Sequence, residues 1–199
     1  MIRILAFLTT FAVLAACTPA TPDEPLEDLG AFSLGHNIVV ASKMQVVPGS
    51  RDATKEEWAE VMTSEVDARF ARYEGPQLYH FGISIEGFFL APPGIPIVLS
   101  PKSVLAVNVT VWDDAAGTKL NSEVKTFTVF ETTSADSFLV GSGHARSREQ
   151  QLRGLARNAV GQIEEWMLEQ HQESGWFDAA ADAAEVEPAE VELDPAAPS

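Results

Sequence analysis

The sequence predicts an α+β fold, a mainly antiparallel sheet with two helices packed on one face, in the order β-α-β-β-β-α. Three observations predict it. Capping-box patterns at Thr54/Glu57 and Ser147/Gln150 each precede apolar residues spaced three and four apart, which is the signature of an amphipathic helix. Two stretches between them alternate apolar and polar residues, as half-buried strands require. The turn sequence Asp113-Asp114-Ala115-Ala116-Gly117 then folds the second of these back as a hairpin, with Gly117 suited to a positive φ.

The elements follow in order. Residues 38–47 are rich in β-branched side chains and end at Pro48-Gly49, predicting the first strand. Behind Thr54, the residues Trp58, Val61, Met62, Val66, Phe70 and Tyr73 form one stripe, stopped by Gly75-Pro76. Tyr79, Phe81, Ile83 and Ile85 mark the second strand, which Phe88-Phe89-Leu90 continues. Leu105, Val107, Val109 and Val111 mark the third, and residues 124–131 return as its partner. Phe138-Leu139-Val140 is a short apolar piece that extends that strand or begins another. From Ser147, the residues Leu152, Leu155, Ala159, Ile163, Trp166 and Met167 line one helical face, ending near Gly175. A crossover through the first helix makes the first two strands parallel neighbours or near-neighbours.

Composition narrows the function classes. With 13 Lys and Arg against 29 Asp and Glu, the net charge is −16, unsuited to holding a nucleic acid backbone. The single cysteine excludes an internal disulfide and a multi-cysteine zinc site. Every base except Arg3 lies between residues 36 and 177, so the extreme acidity belongs to the ends.

After Arg3, the run from Ile4 to Ala16 carries no charge. As a helix it spans about 20 Å, short of the roughly 30 Å hydrocarbon core. This pattern predicts an export signal, and no later stretch is apolar for long enough to cross a bilayer. The break reads Leu14-Ala15-Ala16-Cys17, which resembles the lipobox of bacterial lipoproteins over residues 1–17. The resemblance implies cleavage before Cys17, diacylglycerol on its thiol and acylation of the new amine. Two or three chains, at about 0.8 kcal/mol per buried methylene, anchor stably where one does not. Thr18 stands where inner-membrane lipoproteins of Gram-negative bacteria often carry Asp, so the resemblance favours the periplasmic leaflet of the outer membrane.

The chain thus divides into a signal peptide (1–16), a proline-rich acidic tether (17–35), an α+β domain (36–177) and an acidic tail (178–199). The tether has prolines at 19, 22 and 25, which favour an extended, solvated backbone. The tail has Asp178, Asp182, Glu185, Glu187, Glu190, Glu192 and Asp194 and no base, a composition expected to stay disordered. Sheet-plus-two-helix bodies of broadly similar design occur among periplasmic accessory lipoproteins, a likeness of architecture that implies no activity.

Chemistry-bearing patterns are sparse. His36, His80, His144 and His171 are far apart, in no metal or catalytic spacing, and read as surface or edge residues. Gly141-Ser142-Gly143 precedes a helix, where amides can cradle phosphate, but Arg146 occupies the place of a third glycine, and a hinge explains the pair better. No pattern points to a cofactor or a metal. Arg146, Arg148, Arg153 and Arg157 gather near a helix N-terminus, against the macrodipole by about 0.3–1 kcal/mol each. Two readings offset that: pairing with Glu149 and the acids of the first helix, or an anionic ligand, headgroup or acidic protein face. The apolar, proline-rich residues 88–99 either project as a binding loop or fold over one end of the core.

The expected function is therefore a non-enzymatic, lipid-anchored periplasmic protein acting in binding or assembly. Its partners are the membrane through Cys17 and another envelope protein, with no nucleic acid. The alternative is a lipid-anchored, hydrolase-like enzyme whose site is assembled only in space.

Overall fold

The structure, a computed structural model, describes residues 24–92, 102–131 and 146–178. Its elements are β1 (Phe32–Val40), β2 (Gln45–Val46), α1 (Lys55–Phe70), β3 (Gln77–Phe89), β4 (Val104–Asp113), β5 (Thr118–Lys119), β6 (Lys125–Phe130) and, in α2, Arg148–Ser174. They form one mixed sheet with both helices on one side. β3 and β4 make the centre. β1 and the short β2 run parallel to β3 on one flank, while β5 and β6 run antiparallel to β4 on the other. The expected α+β class and the parallel placement of the first two long strands both hold.

Local chemistry sets the helix ends. Thr54 and Ser147 each accept the amide of the third helical residue, and Glu57 and Gln150 reach back to the cap amides. Gly175 closes α2 in the left-handed region at φ 68°, which a side chain enters only with strain. α1 stops at Phe70, earlier than the Gly75-Pro76 expected, because Ala71 caps it and the Tyr73 amide turns back to the Phe70 carbonyl. Tyr73 is still buried, but from the loop beyond the helix.

The first strand departs most from expectation. It begins at Phe32, not residue 38, and ends at Val40; only Gln45 and Val46 of the following residues pair. Leu29, Ala31 and Phe32 are buried, so packed structure reaches back into the stretch assigned to the tether. The physical reason is a bulge: between Leu34 and Asn37 the strand holds one residue more than β3 opposite. Phe32 and Leu34 face the core before it, Asn37 and Val39 after it, and the alternation changes phase. A second shift, between Ile85 and Gly87, does the same in β3, so Ile85 and then Phe88 point inward.

The core lies between the inner sheet face and the helices. Trp58, Met62, Val66 and Phe70 of α1 and Leu155, Ala159, Ile163 and Met167 of α2 pack onto Phe81, Ile83, Ile85, Val107 and Val109. Asn121 fills the gap between β5 and β6: its side chain accepts the Val111 amide and donates to the carbonyls of Val109 and Glu123. Residues 138–140, the expected short apolar piece, lie outside the described residues.

Candidate binding surface

α1 and α2 run side by side in the same direction, and ion pairs cross between them like rungs. Glu57 meets Arg148, Glu65 meets Arg157 at 3.2 Å, and Glu164 meets Arg69 at 2.8 Å. Arg148 also reaches Glu149, and Arg146 lies 3.2 Å from the buried Glu131. The Arg148 guanidinium, through its hydrogen bond, holds the Glu57 carboxyl below its ordinary value. Glu149 is also lowered, first by its own backbone amide at the start of the helix, then by Ser147 and Arg148. The four arginines therefore do not share one environment: Arg146, Arg148 and Arg157 turn toward carboxylates, while Arg153 is exposed.

Among the described residues, no helix lies on the opposite face of the sheet. Because the strand bulge changes phase, the apolar pair Ile38 and Val40 faces outward, and Ile38 is 60% exposed. Cross-strand register sets Ile38 beside Gly82 and Thr110, and Val40 beside Ser84 and Asn108. Trp112 and Phe130 add aromatic surface toward the two ends, 39% and 58% exposed. At Gly82 no atom lies within 4 Å of where a Cβ would stand, so the floor between these walls is open. A solvated sheet face normally bears polar side chains; this one mixes Thr, Asn and Ser with exposed Ile, Val, Trp and Phe.

His80 stands at the edge of that face. Its ring stacks on His36 at 4.8 Å between centroids. Nδ1 accepts the His36 amide at 2.7 Å, and Nε2 lies 2.8 Å from an Asp114 carboxylate oxygen. The ring covers Gly35, where a Cβ would stand 2.3 Å from Nδ1. His80 thus satisfies the amide that the bulge leaves without a ladder partner, and both ring nitrogens are engaged in doing so. A general base needs a free nitrogen within reach of its substrate, and this arrangement offers none. Among the described residues, no group of three His, Cys, Asp or Glu side chains is placed to hold a metal ion.

The first and last described residues lie at one pole of the body. The Arg69 guanidinium donates to the backbone carbonyls of Glu24 and Pro25 at 2.9 and 3.0 Å while its Nε pairs with Glu164. Arg72 also donates to Glu24, and the Tyr73 hydroxyl donates to Glu164 at 2.5 Å. Burial, then the bond to Glu164, pushes the Tyr73 phenol far above its ordinary value. Just after α2, Phe177 takes φ 62°, uncommon for a bulky residue, with its ring buried among Phe32, Tyr79 and Trp176 and its carbonyl accepting the Ala31 amide. A cleft of about 370 Å³ opens here, lined by Gly30, Ala31, Pro76, His171, Phe177 and Asp178.

Of the residues singled out in the sequence, Cys17, His144, the glycines at 141 and 143, and residues 95–99 lie outside the described residues. Phe88, Leu90 and Ala91 are buried, so the described start of the 88–99 segment folds over the core. His171 contacts the Trp176 carbonyl and lies 3.5 Å from Asp178, far along the chain from His36 and His80. The outward pair Ile38 and Val40 escaped sequence reading, because the bulge that turns them outward is a mismatch with the strand opposite.

No protein-family model matches the chain, and no curated protein does. Among solved structures, the chain is similar to a Xanthomonas campestris protein of the family model DUF330, at 14% identity and a TM-score of 0.39, covering 70% of this chain and 88% of that one. A hypothetical protein of Chlamydia trachomatis is similar at 10% identity and TM-score 0.38, over 69% and 98%. A minor lipoprotein of Acinetobacter baumannii is similar at 13% identity and TM-score 0.28, over 68% and 94%. Likeness at this distance assigns no activity, partner or location.

Proposed function

We propose that the chain is a lipid-anchored protein of the bacterial cell envelope, held at the membrane by Cys17 and working by binding a protein partner in the periplasm. The observation that carries the binding reading is the open sheet face, where Ile38, Val40, Trp112 and Phe130 stand exposed around a floor at Gly82. Anchoring is supported by Leu14-Ala15-Ala16-Cys17 at the end of a short apolar run. Arg69 and Arg72 hold the Glu24 carbonyl to the body, and the residues from Cys17 to Glu24 span at most about 25 Å when fully extended. Thr18 favours the outer membrane. A hydrolase reading would need a histidine with a free nitrogen beside a nucleophile, and His80 does not provide it.

Photo-crosslinking side chains placed at Ile38 and Thr110, with Glu165 on the helical side as control, test the binding face in intact cells. Capture from the sheet positions and not from the control is expected; capture from the control alone overturns the reading. Palmitate labelling separately tests the anchor. The native chain should take up label and sediment with envelopes, and Cys17→Ser should do neither.

A further inference from the structure

The cleft beside the end of α2 has a volume of about 370 Å³, at the small end of the range for ligand pockets. His171 is its polar centre. Nδ1 of that ring faces the Trp176 carbonyl and lies 3.5 Å from an Asp178 carboxylate oxygen. Both of these are acceptors, so the network assigns the ring proton to Nδ1 and leaves Nε2 with a lone pair. Among the described residues, no hydrogen bond uses Nε2. Gly30 keeps that nitrogen uncovered: a Cβ at this position would stand 2.9 Å from Cε1 and 3.2 Å from Nε2. No serine, threonine or cysteine lines the cleft among the described residues, so His171 has no nucleophile to activate.

The backbone fixes this arrangement. Phe177 keeps its φ of 62° because Phe32 and Tyr79 hold its ring, and strained backbone of this kind gathers at ligand sites. The same packing sets the Phe177 carbonyl against Gly30, 2.7 Å from where a Cβ would stand. The free side-chain groups of the cleft are all acceptors. Nδ1–H of His171 is committed to the Trp176 carbonyl, the Gly30 amide to an Asp28 carboxylate oxygen at 3.0 Å, and the Ala31 amide to the Phe177 carbonyl at 2.8 Å. Nε2 and the Asp178 carboxylate remain. The negative charge is felt inside the body as well: burial first, then Asp113 and Asp178, push the Tyr79 phenol up to about 12. Ala31, Pro76 and Phe177 supply an apolar wall beside these acceptors.

We propose that this cleft binds an alkylammonium group, with His171 Nε2 and the Asp178 carboxylate accepting its N–H donors and the wall of Ala31, Pro76 and Phe177 taking its aliphatic stem. An ammonium carries three donors and no acceptor, the complement of side chains that offer only acceptors. A carboxylate or phosphate would meet lone pairs and negative charge here. An alcohol donates once and gains nothing from the charge of Asp178. The stem of a long amine lies along apolar surface while its charged head reaches the polar groups, as a lysine side chain does. A free small amine and a lysine of another protein present the same group to the cleft. The site stands apart from the sheet face around Gly82 and does not depend on the lipid anchor.

The test is an NMR titration of the isotope-labelled full chain, in non-ionic detergent at low salt and mildly alkaline pH, with n-butylammonium as the probe. Saturable shifts are expected at the amides of Gly30, Ala31 and Phe177 and at His171 Nε2, with Nδ1 moving least. Butanoate should move none of them. Asp178→Asn, at an exposed position, should raise the Kd by about threefold. Gly30→Ala should abolish binding, because its methyl group covers Nε2. If the left-handed backbone at Gly30, φ 54°, rejects a side chain, the Asp178 variant still decides the matter. Equal shifts with butanoate, shifts that do not saturate, or an unchanged Kd in Asp178→Asn overturn the proposal. A Gly-Lys-Gly peptide blocked at both ends separates the two sources. Tighter binding of the peptide than of butylammonium identifies a protein lysine as the natural occupant, and weaker binding a small amine; either result requires the cleft.

Discussion

Arg69 joins three parts of the chain through one planar guanidinium. It pairs with Glu164 on α2, grips the carbonyls of Glu24 and Pro25, and shares Glu164 with the Tyr73 hydroxyl. Both charged partners are about 5% exposed, so removing one strands the other in a poorly solvated site. Arg69→Met is expected to destabilise the fold by about 3–5 kcal/mol, and Tyr73→Phe by about 1.5–3 kcal/mol for a lost bond to a charged group. The double variant Arg69→Met/Glu164→Leu should recover most of the loss, because an apolar pair needs no hydration. Denaturant midpoints at unchanged m-value measure all three. In the sequence, Arg69 and Glu164 are two charges on amphipathic helices, indistinguishable from solvated neighbours. Only the meeting of the helices identifies them as a buried pair.

At the scale of elements, the caps were legible and the bulges were not. A capping box is a contact between residues three apart, so Thr54/Glu57 and Ser147/Gln150 are fixed by local sequence. A bulge is a mismatch between two strands distant in sequence, and nothing within residues 32–40 records how many residues β3 sets opposite. The rungs between α1 and α2 depend on both levels: spacing along each helix is local, while alignment of Glu57 with Arg148 is tertiary. Glu57 titrates below its ordinary 4.5 in the fold, so its contribution is fully present above that value and is lost as the pH falls through the lower folded value. Thermal midpoints of the native chain should therefore drop more steeply below pH 4.5 than those of Glu57→Gln. Parallel curves would mean the rung adds nothing.

For the whole molecule, the two faces of the sheet answer to different demands. The inner face binds the helices and tolerates little change. Among the described residues no helix touches the outer one, so Ile38→Glu and Val40→Glu are expected to shift stability by no more than about 0.5 kcal/mol each while abolishing crosslinks from Thr110. A large loss of stability would instead make the pair structural. That one side of the sheet is left free follows from the expectation of both helices on one face. Which apolar residues occupy it follows from the phase change at Gly35-His36, where one additional residue exchanges the inward and outward sets.

By itself the sequence determined the number and kind of long elements, the helix caps, the Gly117 turn and the acidic character of both termini. Each of these is set by interactions within a few residues or by composition. The tertiary structure alone decided that α1 and α2 run in the same direction, that Arg148, Arg157 and Arg69 find carboxylates across them, and that Glu24 and Asp178 lie at the same pole. Those are statements about distance between residues far apart in the chain, and distance is created only when the apolar faces close on one another.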